Sequence, residues 1–259
     1  MELLNAIGQH LGFFLQKIVY YGINNANDTW QKLSLLLTTC DLCGGKCQQY
    51  PLLCQHCFND LALFKLNVCQ GDLLNWPAVN RALPKISIDH LVCLSPYQEP
   101  FSPWLKQLKY QGRFEITKLL ASLLSQYWLT RAQDFPSLCH VELILAVPLH
   151  IKKWQRRGYN QSHLLAKQFA KQCQIPYDAY GLQRLTHSSA QVKKGATTRR
   201  TTSPQDFYAS RASYPEHILL IDDVITTGAT ASAIASTLKA KGVKTVTLLT
   251  LCLTLYHND

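Results

Sequence analysis

Long apolar runs are missing from this chain. Nowhere do about 18 apolar residues follow one another, which argues against an ordinary membrane-spanning helix. The first residues carry no basic stretch and no small-residue cleavage site, so they do not read as a signal peptide; both absences point to the cytoplasm. No repeat or low-complexity tract interrupts the sequence. The 47% hydrophobic content suits a globular fold with a sizeable core. Acidic residues are scarce, with 16 Asp and Glu against 26 Lys and Arg, a net charge of +10. The shortage is local. Between Ile151 and Arg211 twelve basic residues meet only Asp178 and Asp206, so this window alone holds the whole excess. A polyanionic partner follows from that charge: phosphates, pyrophosphate or nucleic acid.

Cysteine, by contrast, is plentiful at ten residues. Cys40, Cys43, Cys54 and Cys57 form two C-x-x-C pairs, a spacing that reads as a metal site in a reduced compartment rather than as disulfides. Paired thiolates at this separation share one face of a tight turn, and two such turns complete a tetrahedral zinc site. Gly44 and Gly45 let the backbone curl around the metal. Cys47 and His56 are possible substitutes, and Cys69 could join a larger cluster. With no open coordination position implied, the zinc is read as structural.

The other informative stretch runs from His217 to Thr230. Ile218 to Ile221 have the length and composition of a strand buried on both faces. Asp222 and Asp223 stand at its carboxyl end, and Thr226, Thr227, Gly228, Ala229 and Thr230 lead into a helix. Small residues at a helix N-terminus favour an anion, and the two carboxylates can accept from sugar hydroxyls, so the stretch reads as a phosphate-and-sugar site. Thr227 and Thr230 are candidate helix caps.

Further strands are expected at His90–Tyr97, Glu142–Val147 and Lys244–Leu253, alternating with helices at Trp104–Tyr110, from Glu115 to about Arg131, and after Gln161. This alternation predicts a parallel α/β sheet. Residues 1–37 show helical spacing in two segments. Phe58 to Ile88 reads as a connector interrupted by Pro77 and Pro84. Pro148, Leu149 and His150 follow a strand end, where ligand crevices form. The stretch from Lys152 to Gln161 reads as a mobile loop in which Arg156 and Arg157 clamp phosphates, while Trp154 and Tyr159 stack on a base or anchor the loop. Lys106, Lys109 and Arg113 either line an anion site or form a solvated helix face. Thr186 to Gln205 reads as an excursion over the site.

In combination and order these motifs resemble the ComF family of competence-associated proteins. The motifs are the two C-x-x-C pairs, Leu108-Lys109-Tyr110-x-Gly112-Arg113-Phe114, Val147-Pro148-Leu149-His150, Arg157-Gly158-Tyr159-Asn160-Gln161, and the Asp222-Asp223 signature. The resemblance implies a type I phosphoribosyltransferase-like parallel sheet flanked by helices, with a small N-terminal zinc-ribbon-like module. The expected division is a helical extension over 1–37, the zinc module and connector over 38–75, and the phosphoribosyltransferase-like domain over 76–259. It also implies phosphoribosyl pyrophosphate with magnesium as the ligand. Asp222 and Asp223 would take the ribose hydroxyls, Thr226 to Thr230 the 5′-phosphate, and Pro148 to His150 with Arg156 and Arg157 the pyrophosphate. Single-stranded DNA is the implied macromolecular partner, on Lys152, Lys153, Lys193, Lys194, Arg199 and Arg200, with other DNA-uptake proteins nearby. Salvage of a free nucleobase is the alternative function. The chain departs from the family pattern in keeping Cys69 alone where members usually carry a further Cys pair, in having Thr202 in place of Asn, and in placing Pro204-Gln205-Asp206 before Phe207.

Overall fold

The computed structural model describes residues 38–83, 86–185 and 202–254. The two expected N-terminal helices lie outside these residues, as do residues 186–201 of the expected excursion. The chain forms two compact units, Met1–Asp60 and Leu61–Asp259.

In the first unit, short antiparallel bridges pair Thr39 with Lys46 and Tyr50 with Leu53. A five-residue helix, α1 (Gln55–Asn59), follows, its first turn capped by the Cys54 sulfur accepting from the Cys57 N–H.

The second unit begins with two 3₁₀ turns, Leu66–Cys69 and Leu73–Asn75, and helix α2 (Pro77–Ala82). The sequence reads this region as a connector, yet Phe64, Leu66, Leu73, Val79 and Leu83 belong to the main hydrophobic cluster. Pro77 does not break the segment because it occupies the first helical turn, where a missing N–H costs nothing. Asp72 fastens it to the sheet. Its Oδ1 accepts from the Leu74 and Leu91 N–H groups, each at 3.0 Å, and its Oδ2 lies 2.7 Å from His90 Nδ1.

Strand β1 (His90–Pro96) leads to helices α3 (Phe101–Tyr110) and α4 (Ile116–Asp134), then to β2 (Leu143–Ala146). Next come α5 (Ile151–Arg157) and α6 (Gln161–Cys173), a short antiparallel pair formed by β3 (Leu182–Arg184) and β4 (Phe207–Ala209), then β5 (His217–Ile225), α7 (Ala229–Lys239) and β6 (Thr245–Leu253). The main sheet has the order β1-β6-β5-β2, all parallel. The expected architecture is therefore observed: a central parallel sheet flanked by helices, with a separate four-cysteine module.

Ile218 to Ile221 are fully buried, as the apolar run predicts for a strand covered on both faces. Each such side chain contributes roughly 1.5–3 kcal/mol through burial. Helix α6 packs on β5, β2 and α4; α7 packs on β6 and β4. Among the described residues no helix is long and apolar enough to cross a membrane.

The expected loop over Lys152 to Gln161 is instead helix α5, a sharp turn and the start of α6. Local chemistry accounts for the difference. His150 Nδ1 accepts from the Lys152 N–H at 3.2 Å to cap α5, and Gly158 ends it at φ +81°, a conformation open to glycine. Asn160 then caps α6 by accepting from the Ser162 N–H at 3.0 Å, while its amide donates to the Val147 carbonyl. Of the expected excursion, residues 202–205 are described; Pro204–Asp206 forms a 3₁₀ turn closed by Asp206 Oδ2 accepting from the Ser203 N–H.

Candidate functional site

The four sulfurs of Cys40, Cys43, Cys54 and Cys57 lie within 4.8 Å of one another. Cys43 Sγ and Cys54 Sγ are 3.6 Å apart, close to the edge of a zinc–sulfur tetrahedron with bonds near 2.3 Å. Backbone amides approach the sulfurs, Gly45 N–H to Cys43 and Cys57 N–H to Cys54. Gly44 adopts φ +72° where the first turn folds back. Burial opposes ionisation of Cys40, but backbone hydrogen bonds around it outweigh burial and draw the thiol down to about 6; Cys57 is pushed up, first by its contact with Cys43. Four thiols this close cannot all ionise beside one another without a cation, so the group is suited to hold a zinc ion. Cys47 and His56 are outside the quartet, and the Cys69 thiol donates instead to the Leu66 carbonyl at 3.4 Å.

In the second unit the strand end separates two acids that the sequence presents as equivalents. Asp223 is 5% exposed; its Oδ1 accepts from the Val224 N–H at 2.9 Å and its Oδ2 forms an ion pair with the Lys109 ammonium. That pair is the contact satisfying Oδ2, which has no further hydrogen bond of good geometry. Burial works against the Lys109 charge, but the attraction of Asp223 prevails and raises the lysine pKa. Asp222 keeps partial exposure. Its Oδ1 accepts from the Ser162 hydroxyl at 2.7 Å and from the Asp223 N–H at 2.9 Å. Desolvation, and then the neighbouring Asp223 charge, push its carboxyl up to about 7.

Beyond the acids, Thr226 and Thr227 are exposed, and Gly228 is buried at φ +71° as the N-cap of α7. A Cβ at Gly228 would come within 2.7 Å of Ile86 Cδ1, which would have to shift, and the positive φ would strain any other residue there. Neither cap candidate, Thr227 or Thr230, is the helix N-cap: Thr230 lies within the first turn, and Thr227 Oγ1 accepts from the Ala229 N–H at 3.4 Å. Pro148, Leu149 and His150 are half-buried after β2. Burial, followed by the charges of Arg184, Lys152 and Lys153, lowers the His150 pKa.

Lys109, Tyr110, Gly112 and Phe114 face Arg156, Arg157, Gly158 and Tyr159 across a cleft of about 710 Å³. The Arg156 and Arg157 guanidiniums lie over the Tyr110 ring, 5.9 and 5.3 Å from its centre, and Arg157 also donates to Gln161 Oε1. Tyr159 is the anchor of this segment: its hydroxyl donates to the Leu108 carbonyl and its ring meets Phe114 edge-on. Trp154, at 50% exposure, points outward from α5. Lys152 and Lys153 are exposed on the same helix, while Lys193, Lys194, Arg199 and Arg200 lie outside the described residues.

Lys109 and Ser162 are the residues that sequence reasoning left without a role at the acids. A signal existed for Lys109: it follows Leu105 by four positions, on the edge of the buried stripe of α3, where a cation needs a partner. Ser162 gives no such signal.

Taken together, this is an α/β protein with a parallel central sheet, an acid-bearing strand end and a separate four-cysteine module. No protein-family model matches the chain. It is 32% identical over 212 residues to Competence protein F of Haemophilus influenzae, covering 80% of this chain and 86% of that one. It is likewise 32% identical over 216 residues to DNA utilization protein YhgH of Salmonella typhimurium, covering 83% and 90%. Competence protein ComFC of Streptococcus pneumoniae is 27% identical over 150 residues, 58% of this chain and 62% of that one. The chain belongs to the ComF family.

Proposed function

We propose that this protein serves the cytoplasmic handling of single-stranded DNA taken up during natural transformation, and that its α/β unit binds phosphoribosyl pyrophosphate with magnesium. The names of the relatives, Competence protein F and DNA utilization protein, support the first part. The second is supported by one arrangement: a partly exposed acid at a buried strand end, followed by hydroxyl residues and a helix N-terminus whose cap, Gly228, carries no side chain. Asp222 accepts from the ribose hydroxyls. Thr226 to Thr230 hold the 5′-phosphate through hydroxyls and first-turn amides. The pyrophosphate rests against Pro148, Leu149 and His150, with Arg156 and Arg157 above it. Asp223 contributes through Lys109, and magnesium enters on the pyrophosphate oxygens. The zinc ion in the cysteine unit is structural, and Lys152 and Lys153 draw the strand by charge.

Calorimetry with phosphoribosyl pyrophosphate and magnesium tests the ligand. Binding by the wild type and a loss on the order of a hundredfold in Asp222→Ala are expected; undiminished affinity in the variant removes the site. A deletion strain tests the role: transformation frequency falls while growth on salvaged bases is normal. Impaired salvage with normal transformation would move the protein to free-base chemistry.

A further inference from the structure

The cleft beside the acids presents an unusual surface. Tyr110 is 63% exposed and Phe114 50%, large rings that a core would ordinarily cover. They are held in place. Tyr159 is tied to the Leu108 carbonyl and supports Phe114 with ring centres 4.8 Å apart. Gly112 and Gly158, at φ +67° and +81°, turn the two walls. Arg156 and Arg157 add positive charge, and neither meets a carboxylate among the described residues, whereas the Lys109 charge is taken up by Asp223. Exposed rings stack on bases of any sequence, and guanidiniums beside them take phosphates. A volume of about 710 Å³ admits one or two nucleotides.

We propose that this cleft is a base-stacking site for single-stranded DNA, with Tyr110 and Phe114 as the platforms. It shares Arg156 and Arg157 with the pyrophosphate of the smaller ligand, so strand and phosphoribosyl pyrophosphate exclude each other. The exclusion rests on the ligand reading above; the stacking site does not.

Fluorescence anisotropy of the full chain with a labelled oligothymidylate of about a dozen nucleotides reads both parts. Tyr110→Ala and Phe114→Ala, changes at exposed positions, are expected to weaken strand binding on the order of tenfold each, while Tyr110→Phe keeps it. Wild-type affinity in both alanine variants overturns the stacking site. So does full displacement of the strand by thymidine monophosphate at equal nucleotide concentration, since that assigns the cleft to free nucleotides. Saturating phosphoribosyl pyrophosphate with magnesium is expected to raise the apparent Kd for the strand; an unchanged Kd overturns the exclusion. If calorimetry shows that the wild type does not bind phosphoribosyl pyrophosphate at all, the exclusion fails together with the reading it rests on. The Tyr110 variants still decide the cleft.

Discussion

Between Thr38 and Asp60 the fully covered side chains are Tyr50, Leu53 and three cysteines, whereas the α/β unit buries apolar side chains along both faces of a four-stranded sheet. Among the described residues the first region has little hydrophobic core, and backbone amides of its turns approach sulfur. The second has ample core and can accommodate a half-paired acid at a strand end. The first region directs backbone amides at sulfur; the second leaves a partly exposed acid at the end of a well-buried strand.

The largest effect that would break this contrast concerns the cysteines. Structural zinc sites contribute on the order of 10 kcal/mol to folding. Cys54→Ser or a strong chelator is therefore expected to collapse the amide dispersion of residues 38–60 in NMR spectra and leave that of the sheet intact. Retained dispersion over 38–60 in metal-free protein would show that its small core suffices.

A smaller effect is expected at the ion pair. Lys109→Met leaves the Asp223 carboxylate buried without its counter-charge, at a cost of about 3 kcal/mol, reduced to the extent that water reaches the lysine. The urea midpoint should fall with the m-value unchanged, and Lys109→Met with Asp223→Asn should recover most of the loss. A loss in the double variant equal to the sum of the losses in Lys109→Met and Asp223→Asn alone would mean that the pair is not coupled.

The smallest effect is in pH dependence. Native Asp222 holds its proton to about 7, while the unfolded carboxyl releases it near about 4. Its contribution to stability is thus complete below the lower value and declines as pH rises through that window. Melting temperatures of wild type and Asp222→Asn are expected to diverge across it, the wild type falling relative to the variant; parallel curves would remove the shift.

How much of this was legible depended on the range of the interaction. Ile218 to Ile221 announce a covered strand because a run of β-branched and aliphatic residues has few other places to go. The cysteine quartet is legible because the members of each pair, three positions apart, already share a turn. Helix α5 was missed because its cations and glycine also suit a loop, and only the His150 and Gly158 caps decide the matter. The segment from Phe64 to Leu83 was missed because its apolar residues lack one period, being spread over two 3₁₀ turns and a short helix. The Lys109–Asp223 and Ser162–Asp222 contacts cross between distant parts of the chain, and no local pattern encodes which acid receives which partner.

Gly228 carries a further consequence. A Cβ added there would meet the Ile86 side chain, and the helix behind it is continuous through Lys239. At φ +71° any residue but glycine would be strained, so the turn that opens the helix depends on this one position. An anion bound at this rim as proposed would meet backbone rather than a side chain at position 228.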